Sequence, residues 1–242
     1  MSTKEDGSRD ELLATGETLA GYDRWAASYD AEPTALVSAT SWVLDRAPLG
    51  CADADVLELG CGTGRNAARV IGEGARSYTG LDGSQGMLSI AMKRYSDSRI
   101  SFGAADLLAQ WTMSKQYDFA LIVLVLEHLP VIDPLFVSLA RALKPGARVR
   151  IVELHPERVA AGSFAHFREG MTNVHFSSVA HSVPMLIATF EAVGFDVVRR
   201  DWLATDTMAA AVPGLTKYRG TKLLLDFKLT RRGRDRRGSG AL

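Results

Sequence analysis

Hydrophobic and polar positions along the chain follow two rhythms. Short apolar or β-branched runs recur in "ADVLELG", "SYTGLDGS", "ISFGAADL", "YDFALIVLVL" and "ARVRIVEL", each of strand length and bounded by turn-forming residues. Between them lie stretches with helical spacing. "RNAARVIGEG" is one, and "GMLSIAMKRYS" is another, with Met87, Leu88, Ala91 and Met92 on one face. "DPLFVSLARAL" stops at "KPG", where a helix C-terminus favours glycine and proline. "SVPMLIATFEAVGF" carries Pro184 in its first turn and stops at Gly194. The last two runs, "FDVVRRDWL" and "TKLLLDFKLT", have no helix between them. The unbroken apolar stretch over 119–126 predicts a strand buried on both faces.

Alternating strands and helices in this order predict an α/β chain built as a doubly wound, mostly parallel, seven-stranded sheet. The adjacency of the final two strands makes the C-terminal one antiparallel. Ligands on such a sheet bind beyond the C-terminal strand ends, at the point where the strand order reverses.

Polarity at the ends predicts a disordered arm over 1–12, a folded domain over 13–230 and a disordered basic tail over 231–242. Within the domain, 13–45 are expected as N-terminal lid helices and 155–182 as a substrate cap inserted after the fifth strand. Composition narrows the partners. Lys+Arg and Asp+Glu both number 28, so no bulk field draws the chain to nucleic acid or to an anionic membrane. The two cysteines, Cys51 and Cys61, have no zinc-site spacing, so no metal is expected. Their scarcity, the polar acidic start and the shortness of every apolar run predict a soluble cytoplasmic protein.

The chemistry starts at "VLELGCGTGRN". Three glycines, Gly60, Gly62 and Gly64, follow a strand, the arrangement used where a ligand approaches backbone closely. The dinucleotide fingerprint would place its third glycine at position 65, which is Arg65, and no Gly-Lys-Ser/Thr follows as a phosphate loop requires. Asp82 ends the second strand, about 20 residues past the first glycine, where a carboxylate accepts both ribose hydroxyls. Asp106 and Leu107 end the third, where a carboxylate can take an exocyclic amine and a backbone N–H a ring nitrogen. Glu58 places negative charge on the strand entering the loop. A nucleoside with a positively charged substituent suits this set better than a pyrophosphate does.

"VLELGCGTG", "GLDGSQGML", "AADL", "YDFALIVLVLEHL" and "LKPGARVRIVE", in this order, resemble the class I S-adenosylmethionine-dependent methyltransferases over roughly residues 22–230. The resemblance implies a Rossmann-like methyltransferase fold with S-adenosylmethionine as cofactor. It implies that Gly60, Gly62 and the loop backbone hold the methionine part, Asp82 the ribose, and Asp106 with Leu107 the adenine. Glu58 would orient the amine and Leu124 line the sulfonium site. Gly83 departs from the pattern, since many relatives carry an apolar or aromatic side chain there; Met87 is the expected substitute against adenine. "GYDRWAASYDA" also resembles these enzymes, whose N-terminal helix lies over the cofactor. Tyr22, Trp25 and Tyr29 fall on one helical face, with Tyr22 at the cofactor, Trp25 packing the helix down and Tyr29 in the pocket.

Methyl transfer needs a base only where the nucleophile must lose a proton, and histidine suits that task near neutral pH. His155, directly after the fifth strand, is the first candidate, with His181 and Tyr29 beside it. His128, just past the fourth strand, is a lesser candidate for the same role, its simpler reading being a residue that caps or hydrogen-bonds the turn. His166, His175, Phe164, Phe167 and Phe176 crowd the same cap. An aromatic, histidine-bearing cap suits a small aromatic or heteroaromatic acceptor methylated at O, N or C, and it resembles bacterial natural-product methyltransferases, some of which act on indoles. The alternatives are an RNA or protein methyltransferase and a nicotinamide-dependent oxidoreductase. "MAAAVPGL", before the last strand, is expected to wall the pocket or to form a homodimer contact.

Overall fold

A computed structural model describes residues 9–31 and 34–233. In chain order the elements are β1 (Arg9–Leu13), α1 (Thr18–Trp25), α2 (Ala35–Arg46), β2 (Asp55–Leu59), α3 (Ala67–Gly72), β3 (Ser77–Asp82) and α4 (Gln85–Arg94). Then come β4 (Ile100–Ala104), β5 (Tyr117–Val123), α5 (Asp133–Ala142), β6 (Leu143–Leu154), α6 (Pro156–Ala160), β7 (His166–Glu169) and β8 (Thr172–Phe176). The chain closes with α7 (Val183–Ala192), β9 (Phe195–Leu203), α8 (Asp206–Ala211) and β10 (Lys222–Arg231).

Seven strands form the main sheet in the order β4-β3-β2-β5-β6-β10-β9, parallel except for β10, which runs antiparallel to both its neighbours. The order reverses between β2 and β5, as doubly wound sheets do at their ligand site. Alternation along a strand decides which layer each side chain joins. Ala120 and Ile122 of β5 face a layer that includes Phe136 and Leu139 of α5 and Phe190 of α7. Phe119, Leu121 and Val123 face the other, with Val43 and Leu44 of α2, Val70 of α3 and Met208 of α8.

A second sheet, β1-β8-β7, covers α1. Leu13, Trp25, Phe167, Val174 and Phe176 form its small core. Trp25 stacks on Phe167 with centroids 5.2 Å apart, and Tyr22 stacks on Phe176 at 4.7 Å. Phe167 and Phe176 of the cap therefore clamp α1 rather than stand free around an acceptor, while Phe164 is exposed beside His166 and His175. Asp23 of α1 accepts from Ser84 Oγ at 2.6 Å and Gly86 N at 2.7 Å, tying the helix to the start of α4.

Three expectations need correction. Residues 9–12, expected in a disordered arm, belong to β1, because β8 offers them a complete parallel ladder from Arg9↔Thr172 to Leu13↔Phe176. Of the two N-terminal helices, only α1 lies over the strand ends; α2 is a core helix, with Val43 and Leu44 fully buried. "MAAAVPGL" does not wall the cavity over the strand ends: Met208, Ala209, Val212 and Leu215 are buried in the chain's own core, and Ala211, Val212 and Pro213 border a separate groove. Of the expected basic tail, Arg231 ends β10, and residues 234–242 lie outside the described residues, as do 1–8. Among the described residues no helix is long and apolar enough to cross a membrane.

Candidate active site

β2 carries Glu58 into the glycine loop, whose shape follows from three left-handed residues, with φ of 67° at Gly60, 53° at Gly62 and 72° at Gly64. A Cβ at Gly60 would stand 2.3 Å from Val125 Cγ2, so only glycine fits that turn. The N–H groups of Gly60 and Cys61 both donate to the Leu81 carbonyl, at 2.8 and 3.0 Å, which pins the loop to the end of β3. Asp82, the next residue, accepts from Gly62 N and Ser84 N, each at 2.8 Å. Burial raises its carboxyl above the usual range, against the lowering effect of those N–H donors. Glu58 is buried and accepts from Asn66 Nδ2 at 2.6 Å and from the Tyr78 hydroxyl. Burial pushes it up to about 7.

These groups face one cavity of about 1070 Å³, counted to its open mouth, over the C-terminal ends of β2, β3, β4 and β5. One flank is made by Gly83, Met87, Asp106 and Leu107. Asp106 is exposed and accepts from Leu108 N at 2.9 Å. The other flank holds Leu124, Tyr22, Tyr29 and His128. Leu124 sits at φ 57°, a left-handed conformation uncommon for a side-chain-bearing residue. The next N–H, that of Val125, is held by both carboxylate oxygens of buried Glu153, at 2.9 and 3.1 Å. Tyr22 Oη and His128 Nε2 share a hydrogen bond of 2.8 Å. Burial lowers the His128 imidazole to about 4, so it is neutral at physiological pH.

All ten cofactor candidates therefore meet at one cavity, with Tyr29 among them. Tyr29 itself lies in a turn beyond the end of α1, 4.8 Å from Trp25 between centroids, not on a continuous helix. His155 and His181 do not reach the cavity. His155 caps α6, its Nδ1 accepting from Glu157 N at 3.2 Å. His181 is buried, its Nε2 2.7 Å from the Leu129 carbonyl and 3.1 Å from that of Leu126. The histidine at the cavity is His128, which no local pattern marks: its partner Tyr22 is 106 residues away. Arg65 also lines the cavity. The sequence had shown it only as an interruption of the dinucleotide fingerprint.

The donor set fits a nucleoside with a cationic amino-acid tail. Glu58, Asp82 and Asp106 line the cavity with a glycine cradle and a single Lys or Arg, where a pyrophosphate would meet mostly like charge. A doubly wound sheet with this loop and these strand-end carboxylates defines a Rossmann-like methyltransferase fold.

A family model described as a methyltransferase domain matches residues 56–146. Among curated proteins, an uncharacterized methyltransferase of Emericella nidulans, AN0656, is 28% identical over 232 residues, covering 80% of this chain and 79% of its own. An S-adenosylmethionine dependent methyltransferase from Mesorhizobium loti superposes with a TM-score of 0.67 at 20% identity, covering 82% of this chain and 99% of its own. The N-methyltransferase NodS from Bradyrhizobium japonicum, in complex with S-adenosyl-L-homocysteine, gives 0.65 at 15% identity, over 90% and 100% of the two chains. The two structural likenesses speak for the fold, and the family model speaks for a methyltransferase domain over residues 56–146.

Proposed function

We propose that this enzyme methylates an O-, N- or C-centre of a small aromatic or heteroaromatic molecule, such as an indole, in secondary metabolism. The supporting observation is the aromatic wall formed by Tyr22 of α1, Tyr29 beyond its end and His128, all lining the glycine-loop cavity. A covered, largely apolar recess of this kind suits a small flat acceptor. When bound, S-adenosylmethionine supplies a methyl group already activated on a sulfonium.

Within this reading Asp82 takes the ribose, Asp106 and the Leu107 backbone take the adenine with Met87 and Gly83 beside it, and Glu58 balances the tail's positive charge. Leu124, whose backbone Glu153 helps to hold through Val125, sets the wall where acceptor and methyl meet. Enclosure aligns the acceptor atom and excludes water, effects worth several kcal/mol of barrier. In this reading His128, kept neutral by burial, is the base for an O–H or N–H acceptor, the proton passing through the Tyr22 hydroxyl bonded to its Nε2 as the acceptor's bond to the methyl carbon forms. This role replaces the one expected of His155 and His181.

Transfer of isotopically labelled methyl from S-adenosylmethionine tests the reading, with a small-molecule extract, total RNA and total protein offered in parallel. Label is expected in the small-molecule fraction. Label confined to RNA or to protein refutes the small-molecule assignment.

A further inference from the structure

Arg65 stands where a dinucleotide-binding loop would carry its third glycine, and it is the one Lys or Arg among the residues lining the cavity. It follows directly on Gly64, and its neighbours on the same wall are Gly62, Thr63 and Asn66. Its guanidinium makes one hydrogen bond, from Nη1 to the Val37 carbonyl of α2 at 3.2 Å, and forms no ion pair among the described residues. Four of its five N–H donors have no protein partner among the described residues. Asp30, Asp45 and Arg94 lie in a second groove that Arg65 also borders, but their charges are spent elsewhere: Asp30 pairs with Arg94, and Asp45 with Arg69.

The charges around it restrict what that ligand can be. Glu58, Asp82 and Asp106 make the rest of the cavity acidic, which suits an ammonium, a sulfonium and ribose hydroxyls but repels a carboxylate. An amino-acid tail brings one of each sign, and Arg65 is the one Lys or Arg among the described lining residues that can meet the negative one with a full charge. Glu58 and Tyr29 line the same cavity, and the positive charge of Arg65 opposes the rise that burial causes at both.

We propose that Arg65 binds the α-carboxylate of the cofactor's methionine tail, by the paired N–H geometry that a guanidinium offers a carboxylate. The proposal rests on the reading that the cavity holds S-adenosylmethionine. It also accounts for the sequence: the position that breaks the dinucleotide pattern exchanges a glycine for the cation that an amino-acid tail requires.

The test compares two ligands that differ in that tail. Calorimetric Kd values are measured for S-adenosylhomocysteine and for 5′-methylthioadenosine, which lacks the amino-acid group, on the wild type, R65M and R65K. A charge-assisted hydrogen-bond pair is worth enough that R65M should weaken S-adenosylhomocysteine by about 10- to 100-fold. Its Kd for 5′-methylthioadenosine should change by less than about threefold. R65K keeps the charge but loses the fork, so a loss of roughly 3- to 10-fold for S-adenosylhomocysteine alone is expected, and this comparison stands even if R65M does not fold. Unchanged affinity for S-adenosylhomocysteine, or equal weakening of both ligands, overturns the proposal. So does an unchanged Kd accompanied by a raised KM for the acceptor, which would assign Arg65 to the acceptor instead. A wild type that binds neither ligand would overturn the cofactor reading itself, a result distinct from all of these.

Discussion

Glu153 offers the sharpest test of the physics beneath the cavity. Its two oxygens hold the Val125 N–H, next to the left-handed Leu124, and burial pushes its carboxyl up to about 8. In the unfolded chain a glutamate has an ordinary value of about 4.3. Between these limits the folded state keeps a proton that the unfolded state has lost, so stability falls as pH rises, by up to about 1.4 kcal/mol per pH unit for each such group. Glu58 and Glu127, each pushed up to about 7 by burial, add to the slope mainly below that pH and fade out by about pH 8. His128 acts with the opposite sign and lower down: it is lowered to about 4, so its contribution is present above the unfolded value and lost as pH falls from about 6.5.

The window from pH 7 to 8 therefore belongs to Glu153. Because Glu153 is half deprotonated at pH 8, the window costs about 1 kcal/mol, which for a protein of this size corresponds to a fall of roughly 2–4 °C in wild-type Tm. Glu153→Gln keeps the hydrogen-bond acceptor and removes the titration, so the fall should disappear. Glu153→Leu leaves the Val125 N–H buried without a partner, a loss of roughly 1–3 kcal/mol, and should lower Tm at pH 6 where Gln does not. Thermal unfolding without ligand, followed by circular dichroism, measures all three chains. A wild-type Tm that rises from pH 7 to 8, or a Gln variant that keeps the full slope, refutes the reasoning.

The remaining predictions concern the loop and the histidines. Gly60→Ala meets a left-handed backbone penalty of about 1–2 kcal/mol together with the Val125 contact, so it should abolish the stabilisation by S-adenosylhomocysteine; a normal ligand-induced Tm shift would contradict the cradle geometry. His128→Ala should cut turnover by about 100-fold or more while leaving the Kd of S-adenosylhomocysteine within about threefold, measured by initial rates and calorimetry once an acceptor is identified. His155→Ala should do the reverse of what its position suggests: turnover stays near wild type and Tm drops by a few degrees, because the lost group is the cap of α6. A loss of turnover with Tm unchanged would restore His155 to the site.

What could be read from the sequence follows from which interactions are local. Strands such as β2, β3 and β5 announce themselves because each side chain along them has an apolar layer to join. β1 does not, since "RDELL" buries only Leu13 and becomes a strand through β8, more than 150 residues later. The cofactor side of the cavity was legible for the same reason: Glu58, Gly60, Asp82 and Asp106 each lie at or beside the end of a strand, and three adjacent parallel strands bring those ends together. The opposite side of the cavity depends on Tyr22 meeting His128, a pairing made only when the small sheet presses α1 onto the strand ends.

His155 shows where the strand-end rule stops. It too follows a parallel strand, but β6 lies beyond β5, between it and antiparallel β10, and the His155 N–H is tied back to the Leu223 carbonyl near the start of β10. The cavity occupies the ends of the four strands from β4 to β5, and a residue one strand further out becomes a helix cap. Order in the sheet, which depends on how the crossovers are wound, decides between a site residue and a structural one at positions that look equivalent along the chain.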